Sequence, residues 1–77
     1  MLKGNTMAEE VRSPISGTIQ DVLVEPGTKV EVDDELLVIE AMKMQNLVYS
    51  PVAGTVRDVR VKKGDKVEGE VVLLIIE

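Results

Sequence analysis

The chain has 77 residues, of which 14 are acidic and 9 basic, so its formal net charge is −5. This length allows one small domain, and the absence of cysteine excludes disulfides and thiolate metal sites. The acidic balance argues against nucleic acid or an anionic membrane as a partner, and the absence of histidine argues against an enzyme.

The first ten residues are polar and show no periodic pattern. We therefore predict a flexible tail at residues 1–10 and a single domain at residues 11–77. Met7 is a candidate natural start, because Met-Ala-Glu-Glu is typical of a protein N-terminus. The tail lacks the apolar segment of a signal peptide, and no stretch reaches the length of a membrane span. We expect a cytoplasmic protein without direct membrane contact.

From Val11 onward, short runs rich in β-branched residues alternate with turn residues. This pattern is typical of an all-β sandwich or barrel, and no window shows helical periodicity. The predicted strands are Val11–Arg12, Gly17–Glu25, Lys29–Val30, Leu36–Met42, Met44–Ser50, Gly54–Val61, Lys66–Val67 and Val72–Glu77.

The sequence repeats itself. Residues 11–40 align without a gap with residues 48–77, and about half of the aligned positions are identical. Two similar halves predict a domain with internal pseudo-twofold symmetry. Glu40 and Val48 flank the segment between the halves, and their repeat mates are Glu77 and Val11, near the termini. The symmetry therefore predicts that the termini meet at the end of the domain away from residues 41–47.

The longest predicted strand of each half contains a break in its apolar pattern. Ile19 to Val22 is a step of three, which violates the two-residue period of one sheet face. The second half repeats the break at positions 56 and 59. We predict a bulge or a sharp bend at equivalent places in both halves, near Gln20 and Arg57. The alternative is that the side chains at positions 19 and 56 are half-exposed.

Glycines recur at equivalent positions in the two halves. Gly17 and Gly54 are predicted to allow a close backbone approach or a positive φ. Gly27 and Gly64 are predicted to close turns between strands.

The first half ends at Glu40, which begins the motif Glu40-Ala41-Met42-Lys43-Met44. By spacing alone, Lys43 is an ordinary solvated lysine of a hairpin. The two methionines allow two interpretations: at least one packs into the core at the strand end, or both are exposed for contact with differently shaped partners.

The motif Glu-Ala-Met-Lys-Met, followed by Gln-Asn, resembles the attachment motif of biotinyl domains, which are the biotin carboxyl carrier domains of biotin-dependent carboxylases. The Pro-x-x-Gly-Thr that begins at Pro14 and the Pro-Val-Ala-Gly-Thr that begins at Pro51 also match, so the resemblance covers residues 11–77. It implies a flattened β-sandwich of two four-stranded antiparallel sheets. Glu25-Pro26-Gly27 leaves no room for a protruding thumb loop, so a thumbless carrier is expected.

The resemblance also implies a function. Lys43 would be the residue that a biotin protein ligase acylates with biotin, and Glu40, Ala41, Met42 and Met44 would complete the recognition motif. The domain would shuttle carboxybiotin on Lys43 between biotin carboxylase and carboxyltransferase subunits of an acyl-CoA carboxylase-like enzyme, or serve a decarboxylase. It would be a non-catalytic carrier, and a monomer when isolated.

Two alternatives remain at this stage. A lipoyl carrier domain of a 2-oxoacid dehydrogenase-type complex would share the fold and the tip lysine, although such domains usually show Asp-Lys-Ala there. A non-acylated barrel-sandwich structural module would normally lie between long helical hairpins, for which the sequence shows no pattern. Asp33 departs from the biotinyl pattern, because a turn glycine is frequent at its position.

Overall fold

The structure is a computed structural model, and it describes residues 8–77. All eight predicted strands are present, and the chain order is β1 (Glu9–Arg12), β2 (Gly17–Val22), β3 (Lys29–Val30), β4 (Glu35–Ala41), β5 (Met44–Tyr49), β6 (Gly54–Val59), β7 (Lys66–Val67) and β8 (Val72–Ile76). Within residues 8–77, no helix is long and apolar enough to cross a membrane.

The strands form two four-stranded antiparallel sheets, with the orders β1-β8-β6-β3 and β5-β4-β2-β7. The repeat converts one order into the other, because it exchanges β1 with β5, β8 with β4, β6 with β2 and β3 with β7. Each sheet contains two strands from each half of the chain, so neither half can complete a sheet alone. The predicted all-β sandwich with internal pseudo-twofold symmetry is confirmed.

The core lies between the two sheets and consists of aliphatic side chains. Its centre is formed by the equivalent positions of β4 and β8, where each side chain has 0% exposure: Leu36, Leu37, Ile39, Leu73, Leu74 and Ile76. The only aromatic residue, Tyr49, is exposed. Because branched aliphatic residues fit a pleated, half-buried surface, this composition explains why strands form instead of helices.

The two predicted bulges are confirmed. The register between β2 and β4 shifts between Ile19 and Asp21, and the register between β6 and β8 shifts between Val56 and Asp58. The extra residues are Gln20 and Arg57. Ile19 and Val56 are each 1% exposed, so the alternative of half-exposed side chains is wrong. The bulge changes which positions face inward, and this explains the break in the apolar pattern.

The boundaries of some strands differ from the prediction. β1 begins at Glu9 instead of Val11, because Glu9 and Glu10 pair with Ile76 and Ile75 of β8. Backbone pairing requires no apolar side chain, so the hydrophobic pattern does not reveal this extension. β2 ends at Val22, before the predicted Glu25. Residues 1–7 of the predicted tail lie outside the described residues.

The turns repeat in both halves. Gly27 and Gly64 have φ values of 98° and 96°, which glycine adopts without a steric cost. Asp33 has a φ of 72°, and its repeat mate Glu70 has a φ of 74°. Asp33 therefore takes the left-handed backbone conformation that a glycine would take more readily.

Candidate functional site

The segment between the two halves is a tight hairpin. β4 and β5 pair up to Ala41 and Met44, which leaves only Met42 and Lys43 in the loop. Met42 has a φ of 55° and Lys43 a φ of 64°. Positive φ at both central residues is the geometry of a type I′ turn, whose twist matches that of the flanking strands. Asn-Gly normally occupies this turn, so Met-Lys holds it at a steric cost of about 1–2 kcal/mol per residue.

The side chains of the tip point into solvent. Met42 is 93% exposed and Met44 is 65% exposed, so the interpretation that places one of them in the core is wrong. Lys43 is also exposed. The ion pairs found among residues 8–77 are Arg12–Glu10, Arg57–Glu77 and Arg60–Asp58. None of them involves Lys43.

The remaining motif residues lie on opposite faces of the hairpin. Glu40 is exposed and pairs with Gln45, whereas the half-buried Ala41 pairs with Met44. Residues directly opposite in an antiparallel pair share a face, so Ala41 and Met44 lie on the face that carries buried Ile39. The structure therefore brings together all five residues of the motif, with Lys43 at the apex.

Asn46 lies near the tip and was noted in the sequence only as part of the motif, without a role of its own. The side-chain amide of Asn46 donates to the carbonyl oxygen of Met44 at 3.3 Å and to that of Ile39 at 3.5 Å. The bond to Ile39 links β5 to β4 at the base of the hairpin, whereas the bond to Met44 lies within β5. Asn46 follows the motif as part of Gln-Asn, and an amide at an inward-facing strand position is a signal that could have identified it.

Side chains that could form a metal site are also relevant to function. Within residues 8–77, no cluster of three or more histidine, cysteine, aspartate or glutamate residues could hold a metal ion.

The domain matches a known protein family. A family profile described as "Biotin-requiring enzyme" matches residues 7–76, which is almost the entire chain. The chain belongs to this biotin–lipoyl family. Its cofactor is covalently attached biotin, and the biotinyl domain is a carrier and not the catalytic component.

Curated relatives agree with this assignment. The chain is 58% identical over 36 residues to the glutaconyl-CoA decarboxylase subunit gamma of Acidaminococcus fermentans, covering 47% of this chain and 25% of that protein. It is 56% identical over 36 residues to the mitochondrial propionyl-CoA carboxylase alpha chain of Caenorhabditis elegans, covering 47% of this chain and 5% of that protein. Both names describe a carboxylase or decarboxylase, so the lipoyl alternative is not favoured. The chain thus spans a quarter or less of the length of these two relatives.

A solved structure shows the same fold. The crystal structure of Kluyveromyces lactis urea carboxylase superposes with a TM-score of 0.88 at 29% sequence identity, and the match covers 99% of this chain and 7% of that protein. The biotinyl domain is therefore similar in fold to a small part of a much larger carboxylase.

The residues at the tip fit a covalently attached biotin. Attachment through an amide requires a primary amine that can enter the active site of another protein. Lys43 lies in a two-residue turn, is exposed and belongs to none of the ion pairs of residues 8–77. Its flexible stem of four carbons extends the reach of the amine further.

Proposed function

We propose that Lys43 is the biotin attachment residue and that this domain is the biotin carboxyl carrier of a biotin-dependent carboxylase or decarboxylase. The single observation that carries the proposal is the position of Lys43 at the apex of the β4–β5 hairpin, in the two-residue loop. The motif around it resembles the biotinyl attachment motif, and the family of the chain uses covalent biotin.

The geometry of the tip suits a side chain that must visit several active sites. The tight turn fixes the backbone of Lys43 relative to the sandwich, so only the side chain and its attached group are flexible. Amide formation removes the positive charge of the lysine. Bound biotin would supply the ring nitrogen that carries a carboxyl group. The tether keeps the group at a high effective concentration near each partner site, which compensates for weak docking of the carrier.

The partners in this proposal are a biotin protein ligase and the biotin carboxylase and carboxyltransferase or decarboxylase components. Support comes from Met42 and Met44, whose exposed, unbranched side chains adapt to differently shaped surfaces. Glu40 is exposed on the opposite face of the hairpin and adds a charge that a partner can recognise. The two curated relatives are named for acyl-CoA substrates, whereas the carrier domain itself supplies reach and docking.

The proposal assigns the domain to the thumbless type of carrier. β2 ends at Val22 and β3 begins at Lys29, so residues 23–28 form the entire connection between them. This connection contains a tight turn with Gly27 at a φ of 98°, and it leaves no chain for a protruding loop.

The experiment that tests the attachment site is the mass of the protein after co-expression with a biotin protein ligase. We expect the wild type to gain the mass of one biotinyl group and Lys43→Ala to gain none. Lys63→Ala is the matched control, because Lys63 is an exposed lysine in a different turn, and it should be biotinylated like the wild type. An unmodified wild type, or a biotinylated Lys43→Ala, contradicts the proposal. Modification by a lipoate ligase instead would support the lipoyl alternative.

The isolated domain is proposed to be a monomer. Three of the four edge strands carry charged residues that oppose pairing between copies: β1, β3 and β7. β5 is the exception, because Met44–Tyr49 contains no charged side chain. Sedimentation equilibrium tests the proposal, and if dimers form, Leu47→Lys should abolish them by placing a charge on the β5 edge.

A further inference from the structure

A groove lies beside the attachment residue, on the face of the hairpin that continues from the core. Its volume is about 360 Å³, and it is lined by Ile15, Ser16, Ala41, Met42, Met44 and Asn46. None of these side chains carries a charge. The volume lies within the range of small-molecule sites, which are apolar with a few polar groups.

The groove exists because the inner face of the hairpin extends past the opposite sheet. Ile39 pairs with Asn46, and Ala41 pairs with Met44, so these residues share the face that carries the core. Ile39 is fully buried, whereas Ala41 is half-buried and Met44 is 65% exposed. Ile15 and Ser16, from the connection between β1 and β2, line the groove together with the hairpin residues, and the small side chain of Ala41 fills little of this space.

The internal repeat places different residues at the positions that correspond to the polar residues of the groove. The repeat mate of Ser16 is Ala53, and the mate of Asn46 is Glu9. The opposite end of the same sandwich is therefore formed without a hydroxyl or an amide at these positions. At these two pairs of positions, the hydroxyl and the amide are both at the end that carries Lys43.

Both polar residues of the groove have unused hydrogen-bonding capacity. The hydroxyl oxygen of Ser16 accepts a bond from the amide of Gly69 at 2.9 Å, so its hydrogen can still be donated. Asn46 donates through its side-chain nitrogen, and its side-chain oxygen accepts no bond among the hydrogen bonds of residues 8–77. The groove thus offers one donor and one acceptor between apolar walls.

From this geometry we infer that the groove is a resting site for the biotinyl group carried by Lys43 of the same chain. The inference rests on the proposed function. The ureido ring of biotin has one carbonyl oxygen, which matches the Ser16 hydroxyl, and two N–H groups, one of which matches the Asn46 oxygen while the other faces solvent. The thioether ring and the alkyl chain are apolar and fit the walls formed by Ile15 and Met44.

The reach of the arm agrees with this site. Asn46 is three residues from Lys43, a distance of about 10 Å along an extended strand. The lysine stem, the amide and the five-carbon acyl chain of biotin together place about ten bonds between the Lys43 backbone and the ring, a span on the order of 12 Å from standard bond geometry. An arm folded back along the inner face of the hairpin brings the ring to Asn46.

The test is carried out on the full chain, biotinylated by a ligase and checked by mass. We expect nuclear Overhauser effects between the biotin ring protons and the methyl groups of Ala41 and Ile15. Amide chemical shifts of Ser16 and Asn46 should differ between the biotinylated and unmodified protein. Gln45 is closer to Lys43 but lies on the opposite face, so its shift should change less than that of Asn46.

Two variants with the same change of charge sharpen the test. Asn46→Glu introduces the residue of the repeat mate and places a charge in the groove, whereas Gln45→Glu places the same charge on the outer face. If the ring is docked half of the time, streptavidin captures it about twofold more slowly than a free ring. Asn46→Glu should remove this slowing, and Gln45→Glu should retain it.

The outcomes separate this inference from the proposed function. A protein that gains no biotin contradicts the proposed function. A biotinylated protein without ring-to-groove Overhauser effects, or with shift changes confined to residues 42–44, overturns the resting site and leaves the carrier role intact. The Overhauser measurement uses the wild type, so the inference stays testable even if Asn46→Glu does not fold.

Discussion

The backbone of Gly17 lies directly against the carbonyl group of Glu40, three residues before Lys43. A β-carbon at Gly17 would lie 2.5 Å from the carbonyl oxygen of Glu40 and 2.8 Å from the Cγ2 atom of Ile39. The repeat reproduces this contact between Gly54 and the carbonyl oxygen of Glu77, at 2.6 Å. Because Gly17 has no side chain, β2 can pack closely against β4, the strand that leads to the tip.

This contact predicts that Gly17→Ala destabilises the domain. The added methyl group must displace backbone atoms, and overpacking of this kind costs about 1–3 kcal/mol. For a domain of this size, each kcal/mol corresponds to about 4–8 °C in Tm. Gly69→Ala is the control, because the nearest atom to its β-carbon is 3.9 Å away. Thermal unfolding that shows equal Tm values for the two variants would contradict the close approach.

The backbone of the tip predicts a stabilising substitution. Met42 has a φ of 55° and is 93% exposed, so Met42→Asn relieves a left-handed conformation without loss of buried apolar area. Asparagine tolerates this conformation better than methionine, and we expect a gain of up to about 1 kcal/mol in the free energy of unfolding. Urea denaturation measures the change, with Gln45→Asn in the adjacent strand as the control that should show no gain. Unchanged stability of Met42→Asn would show that the turn is not strained.

Two buried serines at equivalent positions of the repeat are expected to contribute similarly to the free energy of unfolding. Ser13 and Ser50 are 2% and 1% exposed, and their hydroxyl groups donate to the carbonyl oxygens of Ile15 and Val52, respectively, at 2.5 Å. Replacement of either serine by alanine should cost about 1–3 kcal/mol, because a part-buried carbonyl group loses its hydrogen-bond donor. Since the two sites share no partner, the double variant should lose the sum of both values. Urea midpoints of the three variants test this, and a strongly smaller effect at one site would contradict the equivalence of the halves.

Met44 and Ile39 lie near each other in the hairpin but differ in burial, so substitutions at the two positions should affect stability differently. Met44 is 65% exposed, so Met44→Leu and Met44→Ala should change stability by less than about 0.5 kcal/mol. Ile39 has 0% exposure, so Ile39→Ala should cost about 2–5 kcal/mol. Denaturation curves provide both values. A large loss for Met44→Ala would place its side chain in the core and remove the exposed methionine from the recognition surface.

Local sequence patterns predicted much of this protein. The β-branched runs and the turn residues located all eight strands, and the breaks at Ile19 and at position 56 located both bulges. These features depend on contacts between near neighbours or on the two-residue period of a strand, which a sequence displays directly. The repeat predicted the internal symmetry, and the motif around Lys43 identified the candidate attachment residue.

Features that depend on contacts between residues far apart in the sequence were visible only in the tertiary structure. β1 extends to Glu9 because Glu9 and Glu10 pair with β8. The sequence of β1 alone gives no sign of this pairing. The positive φ values of Met42 and Lys43 are imposed by the pairing of Ala41 with Met44, since neither residue prefers this conformation. The exposure of both methionines, and the groove beside them, follow from where the opposite sheet ends. Long-range packing sets these features, because burial is a property of the assembled sandwich and not of any one segment.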